Sequence, residues 1–268
     1  MAENIYNWDK KGFLIGFAQK LKRIMSWSAY EEGKLTANRQ DGSREFIMLL
    51  AAICADLTYL LAALIYRGKS KDLMDTWVDD LQEGDVVYFA SLEKGWSSDA
   101  YGLLWLNQVF DPHTRKKAGR SRRLLIVDGH SSHVNMAFLD RCDRLKILVL
   151  ILPPYLTHKL QPLDCGNFLP LATYYSQGIN RILLDSEGAV RMTKRLFFGV
   201  FKPAFLDAFS EENIRSAWSQ TGLWPYDPGI ILNPMKAKPN SDKDVEKEIL
   251  RLNGELKTPK TSKSIRRF

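Results

Sequence analysis

Apolar residues along this chain fall first into strand-length runs and later into helical stripes. Ile5 to Trp8 reads as a short strand, and Gly12 to Gly16 continues it in extended form. Residues 18–44 are mixed and polar, the pattern of loops or an exposed hairpin. Two apolar runs follow, 45–54 and 59–66, separated by Ala55-Asp56-Leu57-Thr58. Phe46 to Tyr66 has about the length of a bilayer span, but a charge near its centre is costly in a membrane. Two buried strands around a turn therefore fit it better. Asp99 to Phe110 carries Leu103, Leu106 and Phe110 at helical spacing, with Asp111-Pro112 predicted to end the helix. Arg122 to Val127 is the next predicted strand and Ser132 to Cys142 the next helix. Ile147 to Leu152 is a continuous apolar run closed by Pro153-Pro154, as in a central buried strand. Beyond Gly166 the pattern turns helical, over 168–184 and 192–209. Ser210 then opens a shorter helix ending at Thr221-Gly222, where glycine suits a C-terminal cap. Trp224 to Pro228 is a proline-punctuated segment predicted to dock on the core. No internal repeat is visible.

Strands first, then a strand–helix–strand unit, then helices describe an α/β layer with a mixed sheet flanked by helices. That order fits a ribonuclease-H-like domain over 1–235, with C-terminal helices and a basic tail over 236–268 that is disordered or an isolated helix. A length of 268 residues allows one large domain or two small ones. The net charge of +7 and pI near 9.2 favour an anionic partner such as nucleic acid. Part of the excess is local, in Arg115 to Arg123 and in Lys257, Lys260, Lys263, Arg266 and Arg267. Cys54, Cys142 and Cys165 lack the spacing of a disulfide framework or metal motif, which suits a reducing compartment. Met1-Ala2-Glu3-Asn4 does not begin an export signal.

Three aspartates carry the candidate chemistry. Asp9 follows Ile5 to Trp8, Asp128 ends Leu124-Leu125-Ile126-Val127, and Asp164 follows Leu160-Gln161-Pro162-Leu163. Carboxylates at the ends of buried strands are costly to desolvate unless paired, hydrogen-bonded or metal-bound. Brought together, they form an oxygen-rich site for Mg²⁺ or Mn²⁺, the setting of a nuclease or transposase. Two other motifs fall away. Arg67-Gly68-Lys69-Ser70 looks like the end of a phosphate loop, but position 63 is alanine and the intervening residues are strand-like. No Gly-x-Ser-x-Gly elbow supports Ser131 or Ser132 as a nucleophile.

Thirty-five residues separate Asp128 from Asp164, and six ordered blocks surround the aspartates: YNWDKKGF (6–13), GSRE (42–45), LLIVDGHSSH (124–133), LPPYLTHKLQPLD (152–164), FKPAF (201–205) and ENIRSAWSQTGLWPYDP (212–228). In this order they resemble the DDE superfamily endonuclease domain of pogo/Tigger-type transposases, relatives of centromere protein B, from about residue 3 to about 230. The resemblance implies a ribonuclease-H-like fold in which Asp9, Asp128 and Asp164 hold two Mg²⁺ or Mn²⁺ ions for DNA strand cleavage or transfer. It implies supporting or DNA-contacting roles for His130, His133, His158, Lys159 and Gln161, with a purely structural role the alternative for the last three. DNA is the implied partner, a homodimer the assembly and the nucleus the compartment, with no membrane and no small-molecule cofactor. Three departures stand out. Lys10 replaces an acidic residue common after the first aspartate. Leu57 replaces a turn glycine at a cost of about 1 kcal/mol if its φ is positive. This sequence starts almost at the first predicted strand, without the helix-turn-helix modules usual ahead of this domain. A domesticated or decaying domain that binds nucleic acid or a partner without catalysis is therefore the alternative.

Overall fold

The structure, a computed structural model, describes residues 1–15, 46–68, 73–83, 85, 87–92, 99–128, 135–153, 156–186, 190 and 192–236. The expected loops of 18–44 and the basic tail fall outside the described residues or nearly so. The chain divides into two units, Met1–Asp227 and Pro228–Phe268. In the second, a helix spans Gly229–Lys236.

The first unit is built on a mixed six-stranded sheet, β1 (Ile5–Leu14), β2 (Phe46–Cys54), β3 (Ala63–Arg67), β4 (Tyr88–Leu92), β5 (Arg123–Val127) and β6 (Ile147–Ile151), in the order β4-β3-β2-β1-β5-β6. β2 pairs antiparallel with β1 and β3, while β1–β5, β5–β6 and β3–β4 are parallel pairs. This is the ribonuclease-H-like mixed α/β sheet anticipated above.

Alternation along β1 assigns its two faces. Tyr6 and Trp8 join one apolar cluster with Leu50, Trp105, Phe110 and Phe138; Trp8 stacks on Trp105 at 4.6 Å. Phe13 and Ile15 join the other, with Leu163, Phe168, Tyr175, Phe197, Phe201 and Trp218. Helices 99–118 and 136–144 therefore cover one face, and the C-terminal helices Phe168–Asp185, Lys194–Ala208 and Glu211–Thr221 cover the other.

The apolar stretch 46–66 is indeed a hairpin, β2 and β3 around a turn at 55–58. Leu57 takes φ 77°, the left-handed conformation the missing glycine would have supplied. Asp56 holds that turn by accepting from Thr58 N (3.1 Å) and Thr58 Oγ1 (2.6 Å) and by pairing with Lys117. No helix among the described residues is long and apolar enough to cross a membrane.

Two local expectations are corrected. The chain does not leave the helix at Asp111-Pro112. It passes through a wide π-helical turn, Leu106–Phe110, into a further helix, Asp111–Ala118. Pro112 occupies that helix's first turn, directly after the widened π turn, whose i→i−5 bonding lets the helix continue past a residue that lacks an N–H. Asp111 is held there by Arg115 and by Arg123 at 2.9 Å. The second correction concerns β6, which is an edge strand and not a central one. Leu148, Leu150 and Ile151 are 48 %, 43 % and 47 % exposed. A run of apolar residues has the same appearance whether one neighbour or two cover it. The helix predicted from Ser132 is seen from Met136, capped by Asn135 Oδ1 accepting from Phe138 N at 2.8 Å. Ser210 and left-handed Gly222 cap helix Glu211–Thr221 as anticipated.

Candidate functional site

Asp9 does not end its strand, contrary to its reading as a strand-end carboxylate. β1 continues to Leu14 because β2 pairs with it throughout, Asp9 opposite Ala51 and Leu14 opposite Phe46. Pairing of β1 with β5, however, ends at Asn7 opposite Ile126. Two residues on from that pair stand Asp9, within β1, and Asp128, just past the end of β5, so the first two carboxylates come to the same end of the parallel pair, where β1 outruns its neighbour. Both are buried.

Asp164 reaches the same end of the sheet by another route. Leu163–Asn167 is a π-helical turn leading into helix Phe168–Asp185. Three ties fix it. Leu163 N donates to Asn7 Oδ1 at 2.9 Å, while Asn7 Nδ2 donates to Ile126 O at 3.1 Å. One fully buried side chain thereby joins β1, β5 and the segment bearing Asp164. Asn167 Nδ2 donates to Ala208 O at 2.9 Å. Gly166 lies so close to helix Glu211–Thr221 that an added Cβ would sit 2.4 Å from Ala217 Cβ.

Electrostatics report the three as neighbours. Burial pushes the Asp9 carboxyl well above the ordinary range, and the charge of Asp164, then that of Asp128, raises it further. The Lys10 backbone N–H and the Gln161 amide act the other way. Asp164, more open to solvent, is also raised by burial and by Asp128, with Lys11 opposing.

Among the described residues no group of three Asp, Glu, His or Cys side chains is gathered closely enough to hold a metal ion. The donor chemistry still fits a hard divalent cation. All donors are oxygens, their mutual repulsion is what a cation relieves, and the buried Gln161 amide has no hydrogen-bond partner.

A sequence model of the DDE superfamily endonucleases matches residues 43–218, more than half of the chain. The chain belongs to that family. The matched region of this DDE endonuclease domain contains Asp128 and Asp164 and begins after Asp9. The chain is 30% identical over 238 residues to a Cochliobolus lunatus protein named MFS-type transporter clz9, covering 89% of this chain and 25% of that one. It is also 30% identical over 116 residues to the human Pogo transposable element with ZNF domain, covering 43% of this chain and 8% of that one. It thus spans a quarter or less of these relatives. Among solved structures, the Mos1 transposase paired-end complex with left transposon end aligns at TM-score 0.42 and 17% identity, over 81% of this chain and 56% of that one. The mariner Mos1 paired-end complex with Mg aligns at TM-score 0.45 and 14% identity, over 84% and 56%.

The supporting residues of this DDE domain sort unevenly. Gln161 is buried beside Asp9. His158 and Lys159 are exposed on the short helix Thr157–Leu160, and His158 O accepts from Cys165 Sγ at 3.5 Å. His130 and His133 lie outside the described residues. Lys10, the departure beside Asp9, belongs to the opposite face, since it pairs across the sheet with Leu50. The cation on Asp9's face is Lys11, whose Nζ lies 5.5 Å from the Phe168 ring centroid. Lys11 and Asn7 were missed by sequence reasoning, although period-two alternation from Asp9 points to both.

Proposed function

We propose that this DDE-family domain binds DNA and cleaves or transfers its strands with divalent metal ions, using Asp9, Asp128 and Asp164. The observation that carries the proposal is Asp9, buried and crowded by two further carboxylates, an arrangement that strongly disfavours three negative charges unless a cation joins them. Mg²⁺ or Mn²⁺ bound there would lower the pKa of a water or DNA 3′-hydroxyl and stabilise the leaving oxygen in an in-line displacement. The chain's own part is positional. Asn7 sets the third carboxylate against the first strand, and the apolar faces on either side limit the water around Asp9. The exposed Lys116, Arg120 and Arg122 of the basic run 115–123 would supply sequence-independent attraction for phosphates. Work on DNA places the protein in the nucleus under this proposal.

The test is nicking and strand transfer on duplex DNA with Mg²⁺ or Mn²⁺, comparing the wild type with Asp128→Asn. Activity in the wild type alone is the expected result. Equal activity in both, or none in either with DNA binding intact, overturns the catalytic reading. One feature favours the second reading, a DNA- or partner-binding domain without catalysis. Lys11 already supplies a positive charge to Asp164.

A further inference from the structure

Gln161 is 1 % exposed, yet neither its Nε2 nor its Oε1 has a hydrogen-bond partner. A buried amide left without partners costs on the order of 1–3 kcal/mol, so an unpaired pair of amide atoms calls for an explanation. The backbone of the same residue is fully used. Gln161 N donates to Thr157 O at 2.9 Å, and Gln161 O accepts from Cys165 N at 3.0 Å. Two residues on, Leu163 N is tied to Asn7 on β1. The main chain is thus anchored on both sides while the side chain lies near enough to the Asp9 carboxyl to favour its charged form, without completing a hydrogen bond to it.

We infer that Gln161 is a positioning residue for a hydrated divalent cation at the Asp9 end of the site, its carboxamide oxygen accepting from a cation-bound water. This rests on the metal-binding reading above and adds a specific partner to it. Mg²⁺ dehydrates reluctantly and keeps several waters, each of which needs an acceptor. Carboxylates are committed to the ion itself, so a neutral amide oxygen with no other bond is a suitable acceptor for the water. Removing such an outer partner from a metal site reduces affinity by roughly 10–100-fold.

A structural role and a ligand-holding role move stability in opposite directions, which makes the inference testable without any activity. Gln161→Met keeps the volume and removes the amide; Gln161→Glu keeps an acceptor oxygen. Mn²⁺ affinity is measured by calorimetry on the full chain, alongside thermal melting without metal. Gln161→Met should bind Mn²⁺ at least tenfold more weakly, while its metal-free melting temperature is unchanged or higher. Gln161→Glu should restore the affinity. A lower metal-free melting temperature with unchanged Mn²⁺ affinity makes Gln161 a packing residue and overturns the inference. Equal Mn²⁺ binding by wild type and Gln161→Met overturns it alone. A wild type that binds no Mn²⁺ overturns the metal reading itself, and this inference with it.

Discussion

Replacing Asn7 with alanine should unfasten the third carboxylate from the strand that carries the first. Asn7 is fully buried and makes two bonds, accepting from Leu163 N and donating to Ile126 O. Without it the Leu163 N–H, itself buried, has no acceptor, which costs about 1–3 kcal/mol. The lost bond to the Ile126 carbonyl adds about 0.5–1.5 kcal/mol. The sum, about 1.5–4.5 kcal/mol, is a large share of the about 5–15 kcal/mol that holds a typical domain folded. Urea denaturation followed by tryptophan fluorescence is a suitable assay, because Trp8 next to Asn7 is stacked on Trp105. With a slope of about 2 kcal/mol/M, the midpoint should fall by about 1–2 M. Asn7→Asp is the control: it keeps an acceptor for Leu163 N but sets a carboxylate against the Ile126 carbonyl. That variant should be weakened at neutral pH and recover as pH falls, when the protonated acid can donate to Ile126 O. A midpoint for Asn7→Ala within about 0.3 M of wild type would refute the claim that this side chain holds the site together.

Gly166→Ala should cost about 1–3 kcal/mol or more, read as a lower melting temperature, because its Cβ would meet the backbone of Ala217 at 2.6 Å and must displace it. Arg123→Met should cost about 3–5 kcal/mol by leaving buried Asp111 with only the exposed Arg115. Burial alone would raise the Asp111 carboxyl, but hydrogen bonds from Arg115 and Arg123 hold it below the ordinary range. A depressed folded pKa gives stability that is present above the unfolded value, about 3.9, and lost as pH falls through the folded one. Denaturation as a function of pH should therefore show a smaller loss below about pH 4 in Arg123→Met than in wild type. Lys11→Met should tighten Mn²⁺ binding roughly two- to five-fold in calorimetry, the effect of removing an ion-pair competitor worth about 0.5–1 kcal/mol; unchanged or weaker binding would show that Lys11 does not compete for Asp164.

Much of this fold could be read from local pattern where one residue's neighbours decide its structure. Alternation marked β1, the charged interruption at Asp56 marked the β2–β3 turn, and Ser210 and Gly222 marked both ends of their helix. Leu57 is an instructive case: its unfavourable left-handed φ was foreseeable only because a glycine was missed there. Where topology decides, pattern is silent. Leu148, Leu150 and Ile151 are exposed because, among the described residues, no strand pairs with the outer side of β6, which their apolar character does not encode. Pro112 was read as a stop, yet a proline is equally at home in a helix's first turn, and the π turn before it put it there. Asn7 resembled any polar residue in a strand; its meaning comes from Leu163, 156 positions away.

The same distinction explains why the aspartates were easy to name and their mounting was not. Asp9 and Asp128 need only the β1–β5 pair to become neighbours, and adjacent strands supply that directly. Asp164 sits on a π turn that no strand carries. It is placed by Asn7 from one side, and from the other by Ala208 and Ala217, which belong to helices formed 40 and more residues later. Those helices are in turn tied to the sheet where Trp218 Nε1 donates to Cys54 O, at the end of β2, at 3.0 Å. The family match extends to this same residue, 218. The C-terminal helices are thus part of what positions the third carboxylate, and a sheet with only its first two aspartates would lack the Asp164 charge that adds to burial in raising Asp9.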